Sequence, residues 1–305
     1  MRNACIAFAV LTAATVHAGP AASAMDEVKI EVVPVAERIV MLTGRGGNIG
    51  VSFGDDGVFL IDDQYAPLTP KIRATLAMLS DQPVRFVLNT HWHGDHTGGN
   101  ENLGKRGALI VAAGGVRKRL EAGGFMEAFK REVPPAPKDA LPVITFDGQV
   151  TFHVNGYDIE AINLPPAHTD GDSVVIFKGA NAVHMGDLYF NGLYPVIDWG
   201  SGGHIDGVIA AVDHVLPLLD EQSKVIPGHG PLSNKAELKA YRDMLAAIAA
   251  PMRKAIKSGK TKEQVQAMKL TAAYDEKWGK GFFTPDEWSG LVYEGLVRQR
   301  GKRGK

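Results

Sequence analysis

Cysteine is almost missing from this chain: Cys5 is the only one in 305 residues. Without cysteine beyond position 5 there is no disulfide and no thiolate site, so any metal must be held by nitrogen and oxygen alone. A surplus of either charge is also lacking, with 33 Lys+Arg against 34 Asp+Glu. Nucleic-acid backbones are drawn by excess positive charge, so a nuclease is disfavoured and no nucleic-acid partner is expected. No repeat of solenoid length and no low-complexity segment occurs. Beyond the first 24 residues no apolar run is long enough to span a bilayer.

The start of the chain differs from the rest. Arg2 precedes an uncharged stretch, Ala4 to Ala22, which ends in Ala22-Ser23-Ala24 before Met25-Asp26-Glu27. A short apolar run closed by a small-x-small triplet predicts a secretory signal peptide over 1–24, with a cut after Ala18 as the alternative. The strongly apolar part, Ala4 to Val16, is short for a membrane anchor and no stop-transfer cluster follows. Cys5 would leave with the signal, and residues 25–305 would form the mature domain in the periplasm or outside the cell, with no membrane anchor.

Short strands split by glycines are expected over Arg38–Thr43, Asn48–Phe53 and Gly57–Ile61, with a hairpin turn at Gly44–Gly47. Leu68, Ile72, Leu76 and Leu79 have helical spacing, and Val84–Leu88 reads as a strand. Another strand is expected at Gly107–Ala112. A helical stretch from Val116 to Arg131 carries Gly123-Gly124 in its middle. The region 117–141 is rich in breakers and reads as an excursion over a site. Strands resume at Val143–Phe146, Gln149–Val154, Tyr157–Asn163, Ser173–Phe177 and Ala182–Met185, followed by a helix Asp206–Leu219 and a strand Lys224–Ile226. Three closing helices are announced by caps: Asn234 with Glu237, Thr261 with Gln264, and Thr284-Pro285 with Glu287. Interleaved strands and helices without a linker point to one α/β unit.

The densest chemistry is His91-Trp92-His93-Gly94-Asp95-His96, four possible ligands within six residues. Core packing does not explain it, because buried imidazoles and carboxylates are costly unless paired, hydrogen-bonded or metal-bound. In extended backbone His91 and His93 lie on one side, roughly 6–7 Å apart at Cα, within reach of one ion. Gly94 permits a sharp turn, leaving Asp95 and His96 for a second. His168, Asp187 and His229 each stand where a strand enters a Gly- or Pro-containing turn, and loops at one edge of a sheet can gather such residues.

On these motifs, which run in order from Asp62 to His229, the chain resembles the metallo-β-lactamase-fold hydrolase superfamily. The resemblance implies a four-layer αββα sandwich and two Zn2+ ions per chain. His91, His93 and His168 would hold one ion, Asp95, His96 and His229 the other, and Asp187 would bridge them. Asp62 would support the His-rich loop from behind. Cysteine or serine stands at the place of Asp187 in many true zinc β-lactamases, whereas a bridging aspartate is typical of thioesterases, lactonases and related small-molecule hydrolases. The stretch 187–199 with Gly202-Gly203 resembles secreted bacterial hydrolases loosely labelled cyclase or β-lactamase-like.

Two zinc ions roughly 3.5–4 Å apart would supply hydroxide at neutral pH and polarise a carbonyl. The expected reaction is attack on a small-molecule β-lactam, lactone, ester or thioester, with Asp95 orienting the nucleophile and moving its proton. Tyr189, Asn191 and Tyr194, next after Asp187, are candidate substrate contacts; the competing reading is packed aromatics. His153, His184, His204 and His214 lack partners at ligand spacing and read as structural or solvent-facing, with His184 and His204 also able to line the pocket. Arg117, Lys118 and Arg119 read as a solvated helix face, with a substrate carboxylate as the functional alternative. The rival activity is an iron-dependent persulfide dioxygenase or other redox role on the same fold, opposed by the full second ligand set and the lack of a flavin domain. A non-catalytic descendant is opposed by the complete set of ligands.

Overall fold

Strands in the computed structural model, which describes residues 25–303, are assembled into two large sheets. The first contains β1 (Glu31–Ala36), β2 (Ile39–Thr43), β3 (Ile49–Gly54), β4 (Gly57–Ile61), β5 (Val84–Asn89) and β6 (Leu109–Ala113). After a separate two-stranded hairpin, β7 (Gly124–Met126) and β8 (Arg131–Val133), the strand β9 (Ile144–Phe146) completes that sheet. The second sheet runs in chain order: β10 (Gln149–Val154), β11 (Tyr157–Asn163), β12 (Ser173–Lys178), β13 (Ala182–His184), β14 (Lys224–Ile226) and β15 (Ser233–Asn234). The helices are α1 (Thr69–Ala77), α2 (Gly94–Thr97), α3 (Asn100–Gly104), α4 (Gly114–Ala122), α5 (Ile205–Val215), α6 (Lys235–Lys257), α7 (Lys262–Ala267), α8 (Asp275–Trp278) and α9 (Pro285–Arg303).

Side-chain alternation explains the layering, because successive residues of a strand face opposite sides of its sheet. In β4, Phe59 and Ile61 meet Ile159, Ala161, Val175 and Phe177 of the second sheet in a central core. Val58 and Leu60 of the same strand point outward and pack with Leu68, Ile72 and Leu76 at α1. On the far side, Val174, Val183 and Val225 pack against α5, α6 and α9. Buried on both faces, β4 is apolar throughout, as a central strand must be. Three cores separated by two sheets make the helix–sheet–sheet–helix sandwich.

The caps hold as read: Asn234 accepts from the Glu237 amide, and Thr261 and Gln264 form a reciprocal capping box. Thr284 and Glu287 exchange bonds in the same way ahead of α9. The chain closes with four helices, α6 to α9, where three were expected, and two further regions differ. β1 is an additional edge strand, where Pro34 is tolerated because an edge has backbone groups free of the ladder. The helix expected over Val116–Arg131 ends at Ala122, because Gly123 takes a positive φ of 69° and the chain enters the β7–β8 hairpin. The 1–24 leader expectation lies outside the described residues.

Parallel strand pairs decide where the site falls. β4, β5 and β6 run parallel in the first sheet, and β13 and β14 in the second. Asp62 follows β4, the His91–His96 run follows β5, Asp187 follows β13 and His229 follows β14. The carboxyl ends of these strands open on one edge of the sandwich, and the β11–β12 turn adds His168.

Candidate metal centre

The seven expected ligands converge. One group comprises His91, His93, His168 and Asp187, another Asp95, His96 and His229, each with donor atoms within 4.8 Å of one another. A third such group, Asp62 with His91 and His96, has a different meaning: Asp62 Oδ2 lies 2.7 Å from His96 Nδ1 and orients that ring from behind. The same carboxylate accepts from the Thr90 amide at 2.7 Å and the Thr90 hydroxyl at 2.8 Å, tying the end of β4 to the start of the His run. Asp62 itself sits at φ 65°, a left-handed backbone that turns its side chain under the loop.

Asp187 stands between the groups with one oxygen for each. Its Oδ2 is 3.7 Å from His91 Nε2 and 3.5 Å from His168 Nε2. Its Oδ1 is 3.1 Å from His96 Nε2 and 3.4 Å from His229 Nε2. The backbone that carries it is pinned beside His229: Phe190 bridges to His229, and the Gly228 amide donates to Gly186 and Tyr189. A Cβ at Gly228 would collide with Asp187 Oδ1, and one at Gly47 would enter the His96 ring, so both positions require the bare backbone. The β2–β3 hairpin turn thus doubles as a wall of the cluster, with the Gly47 amide donating to the Asp95 carbonyl at 3.0 Å.

Hydrogen bonding on the outer nitrogens fixes what the inner ones can do. His168 Nδ1 is 2.7 Å from the Val196 carbonyl and must donate there, leaving a lone pair on Nε2. His93 Nε2 faces Asp198 Oδ2 at 3.1 Å and donates likewise, leaving a lone pair on Nδ1. These two lone pairs point at each other across 3.0 Å, an arrangement that repels unless a cation lies between. The Thr90 hydroxyl, already donating to Asp62, accepts from His91 Nδ1 at 3.0 Å, and His91 Nε2 is buried with no hydrogen-bond partner. Inward lone pairs, oriented by outer acceptors, are how protein imidazoles present themselves to a metal. The residues fit a divalent cation.

Electrostatics separate the two groups. Burial, and then neighbouring His96, push His91 well below the ordinary histidine pKa; burial also lowers His168. Burial alone would lower His229 too, but Asp187 and Asp95 lift it to about 9, and His96 is raised well above normal against the same burial by Asp187, Asp95 and Asp62. Burial would raise the carboxyl of Asp187, yet His96, His229 and His91 hold it well below the usual carboxylate range.

A sequence profile described as the metallo-beta-lactamase superfamily matches residues 42–231, more than half of the chain and all of the converging residues. The chain belongs to that superfamily. Lactamase-like protein aptB of Emericella nidulans is 27% identical over 198 residues, covering 61% of this chain and 56% of that protein. The chain therefore spans little more than half the length of that relative. The 2,4-dinitroanisole O-demethylase subunit alpha of a Nocardioides species is 23% identical over 285 residues, 90% of this chain and 80% of that protein. Among solved structures, the DIM-1 metallo-beta-lactamase matches with a TM-score of 0.58 at 21% identity, over 72% of this chain and 99% of that one. That likeness is one of fold.

Three expected substrate contacts of this superfamily member fall elsewhere. Tyr189 and Tyr194 are buried: the Tyr189 hydroxyl bonds Ser233 at 2.8 Å, while Tyr194 stacks on Trp288 at 4.3 Å and bonds Asp275. Past Asp187 the chain turns back under the helices, so sequence adjacency to the site puts these rings in the core. Asn191 donates to the Pro231 carbonyl at 3.0 Å and braces the His229 turn.

The basic run is also more than a solvated face. Arg119 clamps Asp170 through two bonds, of 2.5 and 2.6 Å, and lies over Trp92. His184 is locked between the Asn48 carbonyl and the Gly186 amide, His204 caps α5, and His153 pairs with Asp158 on the surface. His214 borders a groove beside β12 and α5.

Two aspartates that matter went unread in the sequence. Asp198 accepts from His93, from the Ser201 hydroxyl and from the Ser201 amide. Asp172 accepts from the amides of His168 and Thr169 and from the Thr169 hydroxyl, fixing the His168 turn. Their signals were local: Asp198 opens a Trp-Gly-Ser-Gly-Gly turn, and Asp172 closes His-Thr-Asp-Gly-Asp.

Proposed function

We propose that the protein is an exported dinuclear zinc hydrolase that attacks the acyl carbonyl of a small molecule, a β-lactam, lactone, ester or thioester. The observation that carries the reading is Asp187, whose two carboxylate oxygens are divided between a three-histidine group and a group of two histidines and Asp95. Nitrogen and oxygen donors in threes, with a shared carboxylate, suit zinc sites that keep a position open for a reacting group. Zinc held there would polarise a carbonyl and lower the pKa of a shared water towards ~7.

The chain's own residues do the rest. His93 and His168 are kept in one tautomer by Asp198 and the Val196 carbonyl, so no reorganisation is needed when a cation binds. Asp95 is the most exposed of the seven, at 22%, and its Oδ2 lies 3.3 Å from His229 Nε2. A carboxylate at the open end can orient a nucleophile and hold its proton, the catalytic role we assign it. Export is supported by the leader pattern of residues 1–24.

Metal analysis of protein purified from unsupplemented cells, combined with a hydrolysis panel, tests the reading. The panel covers nitrocefin, penicillins, homoserine lactones, S-lactoylglutathione and aryl esters, with and without chelator. We expect two zinc ions per chain and turnover that chelator abolishes and zinc restores. Iron with negligible zinc, or turnover indifferent to chelator, would defeat it. Cell fractionation tests export, and recovery with the cytoplasmic fraction would overturn that part.

A further inference from the structure

The open face of the centre is bordered by aromatic side chains that remain partly exposed. Five of the seven cluster residues are almost fully buried, whereas Asp95 and His229 reach solvent, so a substrate must arrive over that pair. Phe282, in the loop between α8 and α9, stands edge-on to the His229 ring at 5.3 Å and remains 48% exposed. One face of His229 is stacked on buried Phe190 at 5.0 Å, and Phe282 also meets Phe190 edge-on at 6.2 Å, so the three rings form one cluster. From the β7–β8 hairpin, Phe129 stacks on Phe283 at 5.6 Å, joining the hairpin to the same loop. The hairpin in turn rests on the turn that holds Asp198, since a Cβ at Gly200 would touch the Phe125 carbonyl and Glu127.

Every exposed phenylalanine among the described residues, Phe125, Phe129 and Phe282, lies on these two segments. Scattered exposed apolar residues need no explanation, but aromatic rings grouped at the rim of a reaction centre mark a surface meant to be covered.

We infer that Phe282, supported by Phe129, is a specificity-determining shelf that takes a ring-bearing apolar group of the substrate beside the reacting carbonyl. The substrate class is thereby narrowed to arylacyl compounds, as opposed to short aliphatic or purely polar acyl groups. A ring laid on the exposed face of Phe282 gains offset or edge contact and covers surface that water now touches. The catalytic part rests on the acyl-hydrolase reading; the binding part does not.

Two measurements on the zinc-loaded protein test the shelf. Calorimetry compares phenylacetate with acetate, and a pH-stat assay compares methyl phenylacetate with methyl acetate. Wild type is expected to favour the phenyl member of each pair by about tenfold or more, and Phe282→Ala to cut that preference by about three- to tenfold at unchanged zinc content. Phe282→Tyr should keep most of the preference, and Phe129→Ala should lose a smaller part. Should Phe282→Ala fail to fold by circular dichroism, Phe282→Leu removes the ring while keeping the volume. No phenyl preference in wild type, or a preference untouched by removal of the ring, would overturn the shelf. If phenylacetate binds with a preference that depends on Phe282 while neither ester nor any member of the hydrolysis panel is cleaved, the shelf stands and the hydrolase reading falls.

Discussion

The two halves of the candidate centre are built on different physical plans. His91, His93 and His168 are buried, their outer nitrogens spent on Thr90, Asp198 and the Val196 carbonyl, and burial lowers the pKa of His91 and His168. His96 and His229 lie among Asp62, Asp95 and Asp187, whose charges raise both histidines, and this half reaches solvent through Asp95 and His229. The first half offers lone pairs fixed by outer hydrogen bonds. The second offers negative charge and access. A centre divided this way separates holding a cation from exposing one, which is what a hydrolytic site needs: one rigid anchor and one face open to the substrate.

The largest effect should come from breaking the one residue the halves share. If two zinc ions are held as proposed, Asp187→Ala removes an oxygen from each half, so both ions should be lost on dialysis and turnover should fall on the order of a thousandfold. Elemental analysis with a steady-state assay reads this directly. Retention of one tightly held zinc would show that Asp187 serves one half only.

Next come single-half variants. His93→Ala should release one zinc while the half containing Asp95 keeps its own, and His229→Ala should do the converse. Competition with a chromophoric chelator distinguishes the cases by stoichiometry. Loss of both ions from either variant would mean that the halves bind as one cooperative unit, and the comparison drawn above would fail.

A smaller effect separates the supports. Asp198→Asn keeps the shape but weakens the acceptor behind His93, and should lower zinc affinity of the first half by about 10–100-fold with the second unchanged. Asp62→Asn should act on the second half through His96 by a similar factor. Chelator titration resolves the two, and equal weakening of both halves by either change would break the assignment of each support to its own side.

How much of this could be read in advance follows from where the information sits. The convergence of the seven candidate ligands was legible because each stands on a short turn after a strand, so a local pattern marks both the residue and its place on the sheet edge. The layering was expected from the family resemblance, and β4, apolar on both faces, is where the strand pattern agrees with it. Asp198 and Asp172 were not read, because an aspartate in a glycine-rich turn looks like ordinary turn chemistry until His93 or the His168 amide is brought to it by the fold. Tyr189 and Tyr194 were misread for the opposite reason: their neighbours in sequence are at the centre, but strand geometry sends them into the helix-covered core. The β7–β8 hairpin was hidden because helical spacing continued across Gly123, whose positive φ ends the helix.

The smallest expected effect tests whether the rim and the anchor are mechanically separate. Arg119 on α4 clamps Asp170, two residues after His168, so the clamp could be holding the His168 turn. The turn has stronger support of its own: Asp172 accepts from two of its amides and one hydroxyl, and the Val196 carbonyl fixes the ring, all from buried positions. The Arg119–Asp170 pair is 24% and 37% exposed, which screens it to under about 1 kcal/mol. Arg119→Met should therefore lower Tm by only about 2–4 °C and leave zinc affinity of both halves unchanged. A drop in first-half affinity matching that of Asp198→Asn would show instead that the clamp, and with it the segment leading to the aromatic rim, positions His168.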